Sequence, residues 1–266
     1  MTLTNLTAQI RSKNSYLCVG LDTTLEKIPP SLRTGPDPIF EFNRQIIDAT
    51  MDLCVAYKIN TAFYEVMGAA GWDILARTAA YIPSTHLRIA DAKRGDIGNT
   101  SHQYARAFFE TLDFDAVTVA PYMGSDSIRP FLEYPGKWTI VLGLTSNEGS
   151  GDFQQQPMGQ GMLYERVIEK VSGWGSPDNL MFVVGATKAS EIASIRKIIP
   201  HHFLLIPGVG FQGGSLKDVS QAGLNEQVGL LVNSSRAIIY ASQEEDFASV
   251  ARQKAREYQS EMKSYL

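Results

Sequence analysis

The chain has 266 residues, of which 44% are hydrophobic, with a formal net charge of −4 and a pI near 5.6. This length suits one large α/β domain or two small ones, and the apolar content is sufficient for a full core. The acidic balance argues against nonspecific nucleic-acid binding, which needs a basic face. It still permits a local basic pocket for a small anion.

The two cysteines and the N-terminal residues indicate in which cellular compartment the protein is expected. Cys18 and Cys54 stand in apolar runs, which predicts reduced thiols in the core. The first fifteen residues alternate polar and apolar side chains and lack the apolar segment of a signal peptide. No stretch approaches the roughly 18 apolar residues of a membrane span. We therefore predict a cytoplasmic protein with no membrane partner.

Short, nearly continuous apolar runs recur along the chain, a pattern typical of parallel strands that are covered on both faces. We predict eight strands at residues 16–22, 55–60, 87–93, 116–121, 139–146, 181–187, 203–210 and 229–236.

Amphipathic patterns between these runs predict helices. The helix over 37–53 is predicted to bury Phe40, Ile46, Ile47 and Met51 along one side. A second helix is predicted to begin with the capping pair Thr100 and Ser101. The predicted helices cover residues 37–53, 100–112, 162–173, 189–199 and 247–266.

Eight strands that alternate with helices predict a single (β/α)8 TIM barrel, one α/β domain spanning residues 1–266, with its active site at the C-terminal ends of the strands. An open doubly wound sheet is the alternative. The first strand is not followed by Gly-x-Gly-x-x-Gly, which counts against that alternative.

The segment "DAKRGDIGNT" (91–100) places charges at the end of a predicted buried strand. Asp91 and Lys93 are two residues apart, so their side chains should point the same way along a strand. With Lys58 from another strand and Asp96, they can form an array in which opposite charges hold each other ionised. Asp-x-Lys-x-x-Asp alone is a weak signal, because surface loops and structural salt-bridge clusters also produce it. Placement at a strand tip favours function.

Two glycine- and serine-rich segments follow the last predicted strands, "PGVGFQGGS" and "NSSRAII". Barrels often bind phosphate with the loops after strands seven and eight, where backbone N–H groups can approach an anion. Arg236 would supply a planar cation. Simple turns with a surface arginine are the alternative interpretation.

Together these motifs resemble the orotidine 5'-phosphate decarboxylase family, whose signature is Asp-x-Lys-x-x-Asp-Ile-Gly-x-Thr. The resemblance extends from about residue 18 to 236 and includes "VGLD", "YKIN", "TSN", "PGVGFQGG" and "SSR". It implies conversion of orotidine 5'-phosphate to UMP and CO2, the last step of de novo UMP synthesis. It also implies no cofactor or metal, and a homodimer with shared active sites.

The resemblance also implies roles for the matching residues of the central cluster. Lys93 would stabilise the C6 carbanion and donate the proton, with Asp91 and Lys58 in the same subunit. Asp96 and Thr100 would reach into the neighbouring subunit's site.

Other matching positions would bind the substrate. Asp22 and Lys58 would contact the ribose, Ser146 the pyrimidine edge, and Arg236 the phosphate. Gln212 would bridge the base loop and the phosphate, and Pro207 would complete the contacts.

The loops 145–161 and 208–218 are predicted to close over the ligand. A disordered insertion is the alternative for the first loop.

Two other functions remain open from the sequence. One is a metal-dependent sugar-phosphate enzyme on the same barrel, with Glu65 and Asp91 as metal ligands. The other is a nucleotide-phosphate binder without catalysis. The four histidines show no convincing metal-ligand spacing, and His201 and His202 are predicted to lie on the surface.

Overall fold

The structure is a computed structural model that describes residues 1–186, 189–210 and 214–266. Eight parallel strands form a closed barrel in which each strand pairs with its neighbours in the sequence, and the last strand pairs with the first. This architecture confirms the predicted (β/α)8 barrel. The barrel strands are β1 (Leu17–Gly20), β2 (Ala56–Asn60), β3 (Leu87–Arg94), β4 (Ala116–Val119), β5 (Trp138–Leu144), β6 (Leu180–Val184), β7 (Phe203–Pro207) and β8 (Leu230–Ser234).

Helices surround the barrel and cover the outward faces of the strands. Nine of them have eight or more residues in the described part of the chain: α1 (Leu3–Lys13), α2 (Pro38–Thr50), α3 (Gly68–Tyr81), α4 (Gly98–Arg106), α5 (Ser125–Leu132), α6 (Leu163–Ser172), α7 (Ala189–Ile198), α8 (Leu216–Gly223) and α9 (Phe247–Lys263). Shorter helical pieces are Leu25–Lys27, Pro30–Arg33, Ala62–Glu65, Ala107–Thr111, Glu148–Gly151 and Arg236–Ile239.

All eight predicted strands exist, because their apolar residues pack between the barrel interior and the helices. Most strand residues are fully buried, and their side chains join one continuous core. Both cysteines are buried and free, as predicted. Burial raises the pKa of the Cys54 thiol to about 12 and raises that of Cys18 as well, so both stay protonated.

The predicted buried face of α2 is partly wrong. Ile46 and Ile47 are buried, whereas Phe40 is half-buried and Met51 is exposed. The helix ends at Thr50, so Met51 lies beyond its last turn. The buried side instead includes Phe42 and a polar residue, Asn43, whose side chain hydrogen-bonds buried hydroxyls.

The capping prediction for α4 is also wrong. The helix begins at Gly98 rather than at Thr100, and the N-cap position is Ile97, which has no capping side chain. Ser101 lies inside the first turn, and its hydroxyl donates to the backbone oxygen of Asp96 at 2.7 Å.

His202 contradicts the prediction that it lies on the surface. It is buried, and its ring packs edge-on against Phe182 on β6. His201, its neighbour, is exposed as predicted.

The loop 145–161 is folded rather than irregular. It contains the short helix Glu148–Gly151 and a hairpin whose strands are Pro157–Met158 and Gly161–Met162. The second predicted closing loop, 208–218, falls partly outside the described residues. No helix in the described ranges is long and apolar enough to cross a membrane.

Candidate active site

A chain of alternating charges lies at the C-terminal ends of the first three strands. Lys58 Nζ is 2.9 Å from Asp91 Oδ2 and 3.8 Å from Asp22 Oδ1. Lys93 Nζ is 2.6 Å from the other oxygen of Asp91, Oδ1. The order is therefore Asp22, Lys58, Asp91, Lys93, and each lysine contacts a carboxylate.

The two lysines differ sharply in exposure. The Lys58 side chain is 5% exposed, whereas that of Lys93 is 48% exposed. Burial alone lowers the pKa of Lys58, but Asp91 and Asp22 more than offset it, and the pKa rises. Burial alone raises the pKa of Asp91, but Lys58 and Lys93 outweigh it, and the pKa falls well below its usual range. Lys58 and Asp91 are thus a fixed buried ion pair, and Lys93 is the more exposed of the two lysines in the charge chain.

Lys93 has an unusual backbone. Its φ is +47°, the left-handed region that residues other than glycine adopt rarely. The pairing between β3 and β4 shifts register between Ala90 and Arg94, so Lys93 belongs to a bulge. The predicted proximity of Asp91 and Lys93 is confirmed, although it does not come from a regular strand.

Sequence reasoning missed Thr118, which lies on β4 and is fully buried. Its hydroxyl donates to Asp91 Oδ1 and accepts from the backbone N–H of Lys93, both at 2.9 Å. Threonine is common in strands, so a single threonine among valines and alanines carried little signal.

A cavity of about 180 Å³ opens beside the charge chain. It joins the ends of β1, β2 and β3 to the ends of β7 and β8. Its lining includes predicted substrate-binding residues and their neighbours: Asp22, Lys58, Asn60, Asp91, Pro207, Gly208, Val209, Asn233, Ser234, Ser235, Arg236 and Ala237.

The wall formed by β1 and β8 holds buried polar atoms without a hydrogen-bond partner in the described structure. They are Asp22 Oδ1, Asn233 Oδ1 and Ser234 Oγ. Buried polar groups are normally paired, so these atoms favour a polar ligand in the cavity. Gly20 lets the strands approach here, because a Cβ at this position would lie 1.8 Å from Ser235 Oγ.

The segment that follows β7 lines one side of the cavity and contains glycines with positive φ. Gly208 and Gly210 have φ of +97° and +83°, values that glycine tolerates. Exposed Arg236 lies at the same cavity. Gln212, predicted to bridge base and phosphate, lies outside the described residues.

Ser146 lines a neighbouring cavity of about 200 Å³, with Thr145, Ser150 and Gln155. Gly185 permits close packing here, because a Cβ on it would lie 2.8 Å from Ser146 Cβ. Two small polar cavities, rather than one, therefore contain the predicted base and phosphate residues.

Asp96 and Thr100 do not join the charge chain of their own subunit. Asp96 Oδ1 accepts from the backbone N–H of Ile97 at 2.7 Å, and neither residue lines the two cavities. Ile97, beside them, is 60% exposed.

The Glu65 carboxylate, which the metal-site alternative needs as a ligand, is already paired with a cation. It forms an ion pair with Arg94, whose guanidinium also packs over the rings of Tyr104 and Phe108. Among the described residues, no group of three or more histidine, cysteine or acidic side chains is arranged to hold a metal ion.

The fold and the position of these groups define a (β/α)8-barrel protein with a charged candidate active site at the C-terminal ends of its strands. Comparison with known proteins gives the family. The sequence profile described as "Orotidine 5'-phosphate decarboxylase / HUMPS family" matches residues 15–250, and the chain belongs to this family.

Similar proteins cover the chain almost end to end. Orotidine 5'-phosphate decarboxylase of Christiangramia forsetii is 57% identical over 100% of this chain and 99% of its own length. The Bacteroides fragilis protein of the same name is 54% identical over 100% and 98%. The structure of Leishmania donovani OMP decarboxylase has 36% identity and a TM-score of 0.84 and covers 99% of both chains. Leishmania donovani UMP synthase also matches, with 38% identity and a TM-score of 0.85, over 97% of this chain and 56% of its own length.

Proposed function

We propose that residues 1–266 form a single domain that decarboxylates orotidine 5'-phosphate to UMP and CO2 in pyrimidine biosynthesis, with Lys93 as the reacting cation. The observation that carries this proposal is the charge chain at the barrel mouth. Of the two lysines in the charge chain, Lys93 is half-exposed and Lys58 is buried. The Lys93 ammonium lies 2.6 Å from Asp91 Oδ1.

The reaction requires a positive charge beside C6 of the pyrimidine. Breaking the bond between C6 and the carboxylate releases CO2 and leaves the electron pair in an sp² orbital, where the ring carbonyls do not delocalise it. A fixed ammonium beside C6 stabilises that charge as it develops. The same electron pair then takes a proton from Lys93 Nζ, which gives UMP, and solvent returns a proton to the amine.

The remaining charges keep that ammonium in place. Asp91 holds Lys93 through one oxygen and Lys58 through the other. Because Lys58 is buried between Asp91 and Asp22, the array is preorganised before substrate arrives. Asp91 would also lie near the departing carboxylate, but preorganisation around Lys93 is the larger effect.

The far side of the cavity suits the phosphoribosyl group. Asp22 and Lys58 would contact the ribose. Arg236 and the backbone around Pro207 and Gly208 would bind the phosphate. Ser146 would read the pyrimidine edge from the adjoining cavity, and Gln212 would link base and phosphate. Binding energy from the phosphate can drive closure of the loops 145–161 and 208–218.

Asp96 and Thr100 support a homodimer with shared sites. Asp96 lies between β3 and α4 and Thr100 lies in the first turn of α4, and neither forms a hydrogen bond or ion pair with its own subunit's charge chain in the described structure. Exposed apolar side chains lie on the same side of the barrel, with Ile97 60%, Tyr122 93% and Met123 49% exposed. We assign Asp96 and Thr100 to the partner's site, and the enzyme to the cytoplasm.

Mixing two inactive variants tests the shared site. In a two-fold dimer of Lys93→Ala and Asp96→Ala subunits, one site keeps both native residues if Asp96 acts across the interface. Random exchange should then restore roughly a quarter of wild-type activity, because half of the dimers are mixed. Subunit exchange is verified separately. If exchange occurs and activity does not recover, Asp96 belongs to its own subunit's site.

The reaction itself is tested with purified protein and orotidine 5'-phosphate, with and without EDTA. We expect UMP to form at the same rate in both. Turnover that EDTA abolishes would favour the metal-dependent alternative, and tight UMP binding without turnover would indicate a nucleotide-phosphate binder.

A further inference from the structure

Thr118 is a buried threonine on β4 whose hydroxyl lies between Asp91 and Lys93. We propose that Thr118 is a positioning residue that aims both of these side chains at the reacting carbon. This inference rests on the proposed decarboxylation, because it assigns Thr118 a role through Lys93 and Asp91.

The hydrogen bonds of Thr118 fix the orientation of its hydroxyl. A hydroxyl has one proton to donate and lone pairs to accept. Here the proton goes to Asp91 Oδ1, and a lone pair receives the backbone N–H of Lys93, each at 2.9 Å. One side chain on β4 therefore joins the carboxylate and the backbone of two residues on β3.

The backbone at Lys93 needs such a partner. A residue other than glycine in a left-handed conformation costs about 1–3 kcal/mol and persists only where its surroundings hold it. The bulge takes the Lys93 N–H out of the regular pairing between β3 and β4. Thr118 provides its hydrogen bond instead, and so supports the conformation that projects the Lys93 side chain.

The same hydroxyl restricts Asp91. Asp91 Oδ2 accepts a hydrogen bond from Lys58, and Asp91 Oδ1 accepts hydrogen bonds from both Thr118 and Lys93. Without Thr118, only lysine side chains among the described residues would hold the Asp91 carboxylate, and these have several rotatable bonds. Removing the hydroxyl should therefore loosen Asp91 and Lys93 together.

A valine substitution separates positioning from packing, because it keeps the branched shape of threonine and removes the hydroxyl. The matched control is Thr139→Val on the adjacent strand β5. Thr139 is also fully buried, but its hydroxyl has no hydrogen-bond partner in the described structure. Thr118→Ser keeps the hydroxyl and tests rescue.

The experiment measures kcat, KM, UMP affinity and the thermal unfolding midpoint for the three variants and wild type. We expect Thr118→Val to lower kcat about 100-fold, as a misplaced reacting group does, with KM and UMP affinity little changed. Thr118→Ser should retain most of the wild-type turnover, and Thr139→Val should match wild type.

Other outcomes would overturn the inference while the decarboxylase function stands. One is a kcat for Thr118→Val equal to that of Thr139→Val. A second is a loss of UMP affinity in Thr118→Val as large as its loss of kcat. A third is a kcat for Thr118→Ser as low as that of Thr118→Val. If Thr118→Val does not fold, Thr118→Ala and Thr118→Ser give the same comparison, and equal turnover in that pair counts against Thr118. Absence of turnover in wild type would overturn the proposed function, and this inference with it.

Discussion

Lys58 Nζ lies 2.9 Å from Asp91 Oδ2, and the two side chains are only 5% and 11% exposed. This pair is the inner half of the charge chain, and Asp22 and Lys93 extend it on either side. Its burial has a consequence for stability as well as for catalysis, because a buried charge that loses its partner destabilises the folded state.

Replacing Lys58 with methionine should lower the free energy of unfolding by about 3 kcal/mol, since Asp91 and Asp22 lose their shared cation. Denaturant unfolding measures this change. The matched control is Lys254→Met, which removes an exposed ion pair with Glu257 on α9 and should cost less than about 1 kcal/mol. Equal losses in both variants would contradict the account of a buried charge pair.

The buried His202 predicts a dependence of stability on pH. Burial, with Arg196 and His201 nearby, lowers its pKa from 6.5 to about 4 in the folded state. Between these values the unfolded state binds more protons, so the free energy of unfolding should fall as the pH falls from 6.5 to about 4. The loss for this one residue is at most roughly 3 kcal/mol.

The variant His202→Phe should flatten that pH dependence, because phenylalanine can still pack on Phe182 without binding a proton. His201→Phe, at the exposed neighbouring position, should keep most of it. Unfolding curves measured across this pH range make the comparison. An unchanged slope in His202→Phe would assign the pH dependence to other groups, such as the buried His86.

The ion pair between Glu65 and Arg94 supports the end of β3. Arg94 follows Lys93 directly, and its guanidinium donates to the backbone oxygen of Ala92 as well as to Glu65. Glu65→Gln should cost roughly 1–3 kcal/mol in unfolding free energy, because a half-buried cation loses its charged partner. Glu110→Gln, which removes the exposed pair with Arg106, should be near neutral. Equal effects would show that the Glu65 pair behaves as an ordinary surface contact.

The strands could be predicted from sequence because a barrel strand is covered on both faces and reads as an apolar run. Helix α3 could not, because its first turn is "GAAG" and the sequence gives no cap. Helix α5 contains Pro130, which argues against a helix in sequence reasoning. The His202 ring packs on Phe182 of β6, a residue distant in sequence, and no local pattern encodes that contact.

The parts of the site that depend on the order of the strands could be predicted from the sequence. The parts that depend on irregular backbone could not. Asp22, Lys58 and Asp91 converge because they lie on or just after three adjacent strands, near the C-terminal ends. The left-handed backbone of Lys93 and its link to Thr118 arise from a bulge between two strands, which no local motif signals. Asp96 stands in the same motif but forms no ion pair with the charge chain in the described structure, so the motif alone did not separate residues of one subunit from those assigned to the partner.

The role of Lys93 as the reacting cation is tested by comparing Lys93→Ala with wild type. Decarboxylation of orotidine 5'-phosphate and binding of UMP are measured on the same preparations, with circular dichroism to check the fold. We expect turnover to be nearly abolished while the fold and UMP binding persist, since the substitution leaves Arg236 and the loop after β7 unchanged. Near-normal turnover in Lys93→Ala would contradict the assignment of Lys93 as carbanion stabiliser and proton donor.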